Sequence, residues 1–179
     1  MRLEHEDVEI LPEVRVRTED STPHHWVGTC GTLVLLVLHE GSHEDPAHVI
    51  AGQRAITSVL RRGAATVQLL VVWPPTLGKP PSAEVRRAIV DASPSGRAID
   101  RAAGVVLGTG FLPAMHRSAV TGILALARAS VAVRIFGTIP DALGHVVVGH
   151  DAARLRALTK FCEDHIARAI GSTAAEPTR

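Results

Sequence analysis

The chain has 179 residues, with 19 Lys and Arg against 18 Asp and Glu, a formal net charge of +1 and only 3% aromatic residues. That length suits one domain with a real core. The mixed charges and the missing Tyr supply neither the basic stripe nor the stacking platforms that a nucleic-acid binder needs.

From the N-terminus, "VEILPEVRVRT" (Val8–Thr18) reads as an extended pair or bent hairpin. Val14, Val16 and Thr18 alternate there with Arg15 and Arg17, the mark of a half-buried strand. "STPHHW" (Ser21–Trp26) reads as a loop packed by Trp26. "GTLVLLVLHE" (Gly31–Glu40) is a continuous apolar strand of the kind buried on both faces. Asp45 and Pro46 then predict a helix start, because an Asp caps well and a Pro at the first helical position loses no hydrogen bond. Val49, Ile56, Val59 and Leu60 share one stripe of that helix, and Gly63 suits its left-handed end.

"TVQLLVVW" (Thr66–Trp73) is a second apolar strand, with Trp73 at the edge of the core. The rigid "PPTLGKPP" (Pro74–Pro81) leads into a helix capped by Ser82, with Glu84 in its first turn. "AGVVLGTG" (Ala103–Gly110) predicts a strand and turn. A helix from Pro113 to about Arg128 follows, with Val120, Ile123, Leu124 and Ala127 inward. "VAVRIFG" (Val131–Gly137) is a further strand and "IPDALGHV" a short helix. Asp151 caps a last helix whose Leu155, Leu158, Cys162 and Ile166 recur at helical spacing. Strands alternating with helices predict a single α/β domain, 1–171, with a mixed, mostly parallel sheet and N-terminal antiparallel edge strands. Residues 172–179 are expected to form a flexible tail.

Cys30 and Cys162 lie far apart without a CxxC, so neither a disulfide framework nor a Cys-rich zinc site is expected, and both read as buried. The acidic start lacks a signal-peptide apolar region. The aliphatic runs fall far short of the roughly 20 residues that span a bilayer. The expected location is therefore cytoplasmic, with no membrane and no nucleic-acid partner. The abundance of Arg over Lys and of Ala fits a GC-rich bacterial genome.

Four features could carry chemistry. "HEGSH" (His39–His43) spells the H-E-x-x-H zinc-protease string, which works only when a helix puts both His on one face. Here it follows a strand, and Gly41, Ser42 and Asp45-Pro46 oppose a helix, so a chance match among ten His is the favoured reading. A loop metal site of His39, His43 and His48 is the alternative. Gly108, Thr109 and Gly110 form a GxG turn before a helix, a possible anion site, but Pro113 replaces the third Gly of the dinucleotide fingerprint. Ser118 reads as a helical residue that faces solvent or bonds back to its own backbone. Ser82 needs no role beyond its cap, yet a phosphate there would gain from the helix dipole and free N–H groups.

In order of elements the chain resembles the STAS and SpoIIAA-like fold group, which includes bacterial anti-sigma-factor antagonists. The likeness rests on "GTLVLLVLHEG" and its helix, "TVQLLVVWPP" with its loop into Ser82, and "VRIFGTIPDALGHV" (Val133–Val146), and it covers about residues 8–170. It implies a mixed sheet with helices mostly on one side and a non-catalytic, protein-binding role, with Ser82 nearest the family's phospho-acceptor slot. The chain departs from the family's usual Asp-Ser there, having "GKPPSAE". A flavodoxin-like or Rossmann-like domain is the rival fold.

The expected function is thus a regulatory or protein-interaction module, with another protein as partner, a possible homo-oligomer, no cofactor and no catalytic residue. A His-dependent or metal-dependent hydrolase at the carboxyl ends of the strands and a phosphate or nucleotide sensor are the alternatives.

Overall fold

A computed structural model describes residues 8–11, 14–73, 81–92, 98–126, 133–147, 149 and 152–173. The Pro-rich loop (74–80), Asp151, Ala127, the side chains of Val120, Ile123 and Leu124, and the tail from 174 lie outside the described residues. The elements are β1 (Val8–Leu11), β2 (Val14–Ser21), β3 (His25–Cys30), β4 (Leu33–Leu38), α1 (Ala47–Arg61), β5 (Val67–Trp73), α2 (Ala83–Ala92), β6 (Ile99–Val106), α3 (Phe111–Leu126), β7 (Val133–Phe136), α4 (Ile139–Val146) and α5 (Ala152–Thr173).

All seven strands form one sheet in chain order, β1-β2-β3-β4-β5-β6-β7. The first three neighbouring pairs are antiparallel and the next three are parallel. The chain is therefore an α/β domain with a mixed sheet, and the parallel half is confined to β4 through β7. The antiparallel part is larger than the expected edge because His25–Cys30 forms a further strand, which takes in His25 and Trp26 of the expected loop Ser21–Trp26. It pairs with β2 and with β4 across the Gly31-Thr32 turn, where Gly31 takes φ +61°.

β4 is buried at all six positions, as its unbroken apolar run predicts. Val34, Leu36 and Leu38 face α1, where they meet Ala51, Ala55, Ile56 and Val59. Leu35 and Val37 face the other way, toward Leu143 of α4 and Leu158, Phe161 and Cys162 of α5. Helices thus cover both faces of the sheet, where the STAS resemblance implied helices mostly on one side. β4 is sandwiched between them, and its alternate residues can all be apolar.

The helix ends follow local chemistry. The Asp45 carboxylate accepts from Ala47 N–H at 2.9 Å. The Ser82 hydroxyl accepts from Val85 N–H at 3.2 Å and opens α2. The Thr138 hydroxyl accepts from Asp141 N–H at 3.3 Å and opens α4.

Candidate functional site

His39 leaves β4 and the chain then makes consecutive turns. Ser42 N–H donates to His39 O (3.3 Å) and Glu44 N–H to Gly41 O (3.0 Å), and no helix forms until Ala47. Gly41 sits at φ +85°, and a Cβ there would lie 2.6 Å from His24 Nδ1. A non-Gly residue is therefore excluded twice, by conformation and by space. The HEGSH string is a loop, without the helical face its protease reading requires.

This loop is stapled on two sides. His39 N–H donates to His24 O (2.9 Å), His24 Nδ1 lies 2.9 Å from Glu40 O, and His39 Nδ1 lies 3.2 Å from Pro23 O. Ser82 N–H donates to His43 O at 2.8 Å, tying the loop to the start of α2. His48 Nδ1, on the first turn of α1, lies 2.7 Å from Asp45 O. A carbonyl only accepts, so each of these three Nδ1 atoms carries the proton.

The result is a histidine corner. The rings of His25 and His48 stand 6.4 Å apart on the α1 side. His25 is 1% exposed, with Nδ1 3.0 Å from the Thr22 hydroxyl and Nε2 3.5 Å from Asp20 Oδ2. On the other side His39 is in the electrostatic range of His165 of α5. The His165 ring packs edge-on to Trp26 (4.3 Å, 82°) and against Phe161 (4.4 Å). His39 Nε2, Ser42 Oγ and His43 Nδ1 are buried and meet no hydrogen-bond partner among the described residues.

Burial dominates the protonation here. Desolvation lowers His39 and His48 below the usual imidazole value, against the pull of their backbone carbonyls. His165 is pushed down to about 4 by desolvation, then by Arg168 and His39, while Asp164 opposes. These rings are neutral at physiological pH. No group of three His, Cys, Asp or Glu side chains that could hold a metal ion occurs among the described residues, and His39, His43 and His48 are no exception.

The other sequence candidates lie apart from this corner. Gly108, Thr109 and Gly110 are exposed, with φ of +101° and +98° at the two glycines. The Arg117 guanidinium donates to Val106 O (3.1 Å) and Gly108 O (3.2 Å), which fixes the turn. Ser118 is exposed and donates to Ala114 O at 3.1 Å, so both readings offered for it hold. Cys162 is buried, and desolvation pushes its thiol up to about 12. Cys30, also buried, ends β3 and receives Arg154 at 3.6 Å. Ser82 is half-buried with its hydroxyl engaged as a cap.

Sequence reading missed two features. His165 joins the corner from 126 positions beyond His39, and no local signal links them. Phe111 is 79% exposed and Met115, one turn on, 49%; together they form an apolar step beside the Gly108–Gly110 turn. No helix among the described residues is long and apolar enough to cross a membrane. Comparison with family models, with curated protein sequences and with solved structures finds no match.

Proposed function

We propose that this chain is a cytoplasmic, non-enzymatic regulatory module of STAS or SpoIIAA-like type that binds another protein through the carboxyl-end rim of its sheet. The observation that carries the reading is Phe111, a large apolar side chain 79% exposed at the first position of α3. A solvent-facing aromatic next to a second exposed apolar residue suits an anchor that a partner buries. The element order supports the family reading: antiparallel strands first, then strand-helix repeats, with Ser82 capping the second helix. Ser82 is the acceptor of a phospho-switch in this reading, since a phosphate would meet the positive end of α2.

A hydrolase reading draws less support. Desolvation keeps His39, His48 and His165 neutral, and His24, His39 and His48 each spend Nδ1 on a backbone carbonyl. A phosphate sensor at Gly108–Gly110 would need a donor such as the Arg117 guanidinium, which is already spent on the Val106 and Gly108 carbonyls.

The test is a paired capture from lysate with wild-type protein and Phe111→Asp, alongside a thermal midpoint for each. A surface position should leave stability within about 0.5 kcal/mol. A specific protein captured by the wild type and lost in the folded variant supports the reading. Equal capture by both, or none by either, sinks it.

A further inference from the structure

We propose that the joint between the β3–β4 edge and α5 is an acid-operated latch, in which proton uptake by His39 and His165 releases the C-terminal half of α5 from the sheet.

The geometry requires both rings to be neutral when the latch is shut. Arg168 brings its guanidinium against Nδ1 of His165. A guanidinium only donates, so that nitrogen must offer its lone pair. Protonating it sets an N–H against an N–H and a cation against a cation. His39 has spent its Nδ1 proton on the Pro23 carbonyl, and its buried Nε2 meets no acceptor among the described residues. A proton added there would create a buried charged donor without a partner.

The surroundings do not rescue either charge. His39 faces His24 and His25 from the neighbouring turn and strand and His165 from α5. His165 faces Arg168 and Asp164 on its own helix, His39 from the strand end, and the rings of Trp26 and Phe161. Asp164 is engaged by Lys160 at 2.8 Å and 3.0 Å. Asp20 faces His25, and Asp45 faces His48, both on the α1 side. A charged His165 would gain some cation–π attraction from Trp26, but two cations, Arg168 and a protonated His39, and the loss of water oppose it. The direction agrees with the lowered values of both rings.

The consequence is local because the turns of α5 before His165 grip the sheet through apolar side chains. Leu158, Phe161 and Cys162 precede His165 and Ile166 follows it, so the proton arrives in the C-terminal half of the helix. Release would bare the aromatic surface of Trp26 and Phe161.

The experiment is amide hydrogen exchange on the full chain at several pH values from 7 to 4, corrected for intrinsic rates. Peptides covering 158–168 should lose about tenfold of their protection per pH unit for one linked proton, and more for two, while β4 and β5 peptides stay the better protected at every pH. Equal protection in α5 and the sheet as the pH falls, or no loss in α5, overturns the latch. His165→Gln gives the second readout: it cannot charge, so the α5 slope should flatten. An unchanged slope in that variant also overturns the proposal, and the wild-type profile stands by itself if the variant does not fold.

Discussion

Gly28→Ala probes how firmly the aromatic layer is held. Gly28 lies in β3 opposite Thr18 and Leu35. The Trp26 indole folds back over it, donating from Nε1 to the Thr18 hydroxyl at 3.3 Å. A Cβ on Gly28 would lie 2.5 Å from Trp26 Cζ2, nearer still to Cη2, and 3.1 Å from Arg17 O. The ring cannot slide away, because Phe161 and His165 stand 5.3 Å and 4.3 Å from it on the α5 side. Overpacking a rigid aromatic costs about 1–3 kcal/mol, and the gain from removing a strand glycine recovers well under about 1 kcal/mol of that. We expect a net loss of about 2 kcal/mol, which lowers the thermal midpoint by roughly 4–8 °C for a chain of this size. Gly52→Ala is the control. Its Cβ would meet only Leu36 Cδ2 at 3.8 Å, inside α1. Removing a mid-helix glycine there should raise stability by about 0.5–1 kcal/mol. Differential scanning calorimetry and near-ultraviolet circular dichroism on both variants decide the matter. A Gly28→Ala protein as stable as wild type, with an unchanged aromatic signal, would refute the packing argument.

The remaining predictions concern cap, acid and metal. Ser82→Ala removes the hydroxyl that accepts from Val85 N–H and should cost about 1 kcal/mol; Ser82→Asp keeps a capping oxygen and should recover most of it in urea titrations. Acid should destabilise the fold. His39, His48 and His165 titrate lower in the folded chain than the ordinary 6.5, so the unfolded chain binds more protons below that pH. Stability is full above about pH 6.5 and falls toward pH 4, by roughly 3 kcal/mol from His165 alone if its whole shift is realised. Urea midpoints that stay level from pH 7.5 to 4.5 would contradict this. Tag-free protein should carry no stoichiometric zinc and keep its thermal midpoint in EDTA, whereas one zinc per chain lost in a His39→Ala, His43→Ala variant would restore HEGSH as a metal site.

Most of the fold was legible because its elements carry local signals. The unbroken apolar run of β4, the Asp45-Pro46 start of α1, the Ser82 cap of α2 and the "IPDALGHV" helix each announce themselves within a few residues. β3 did not. In "HWVGTC" one face presents His25, Val27 and Thr29 and the other Trp26, Gly28 and Cys30, so burial on both sides erases the polar alternation that marks a strand. A glycine that exists to admit the Trp26 ring looks, in sequence, like a breaker. The histidine corner was half legible. His24, His25, His39, His43 and His48 are conspicuous as a group in the sequence, but His165 comes from a helix whose position depends on the whole sheet.

That position follows from strand order. β4 to β7 are laid down one after another in the same direction. Right-handed crossovers then put α1, α2 and α3 on one face, since parallel connections nearly always take that hand. The opposite face of an apolar sheet is left bare until the chain has passed β7. Only the two C-terminal helices can cover it. α4 does so over β5, β6 and β7, and α5 runs back across the sheet as far as β2 and β4. The helix that closes the second core is therefore made last and reaches the oldest part of the sheet at its far end. There it meets the Trp26 ring of β3 and the His39 end of β4. A helix gripped early by Leu158, Phe161 and Cys162 but resting its later turns on imidazoles can loosen in that half without opening the rest. This is why protonation at His165 should act on α5 before it acts on the sheet.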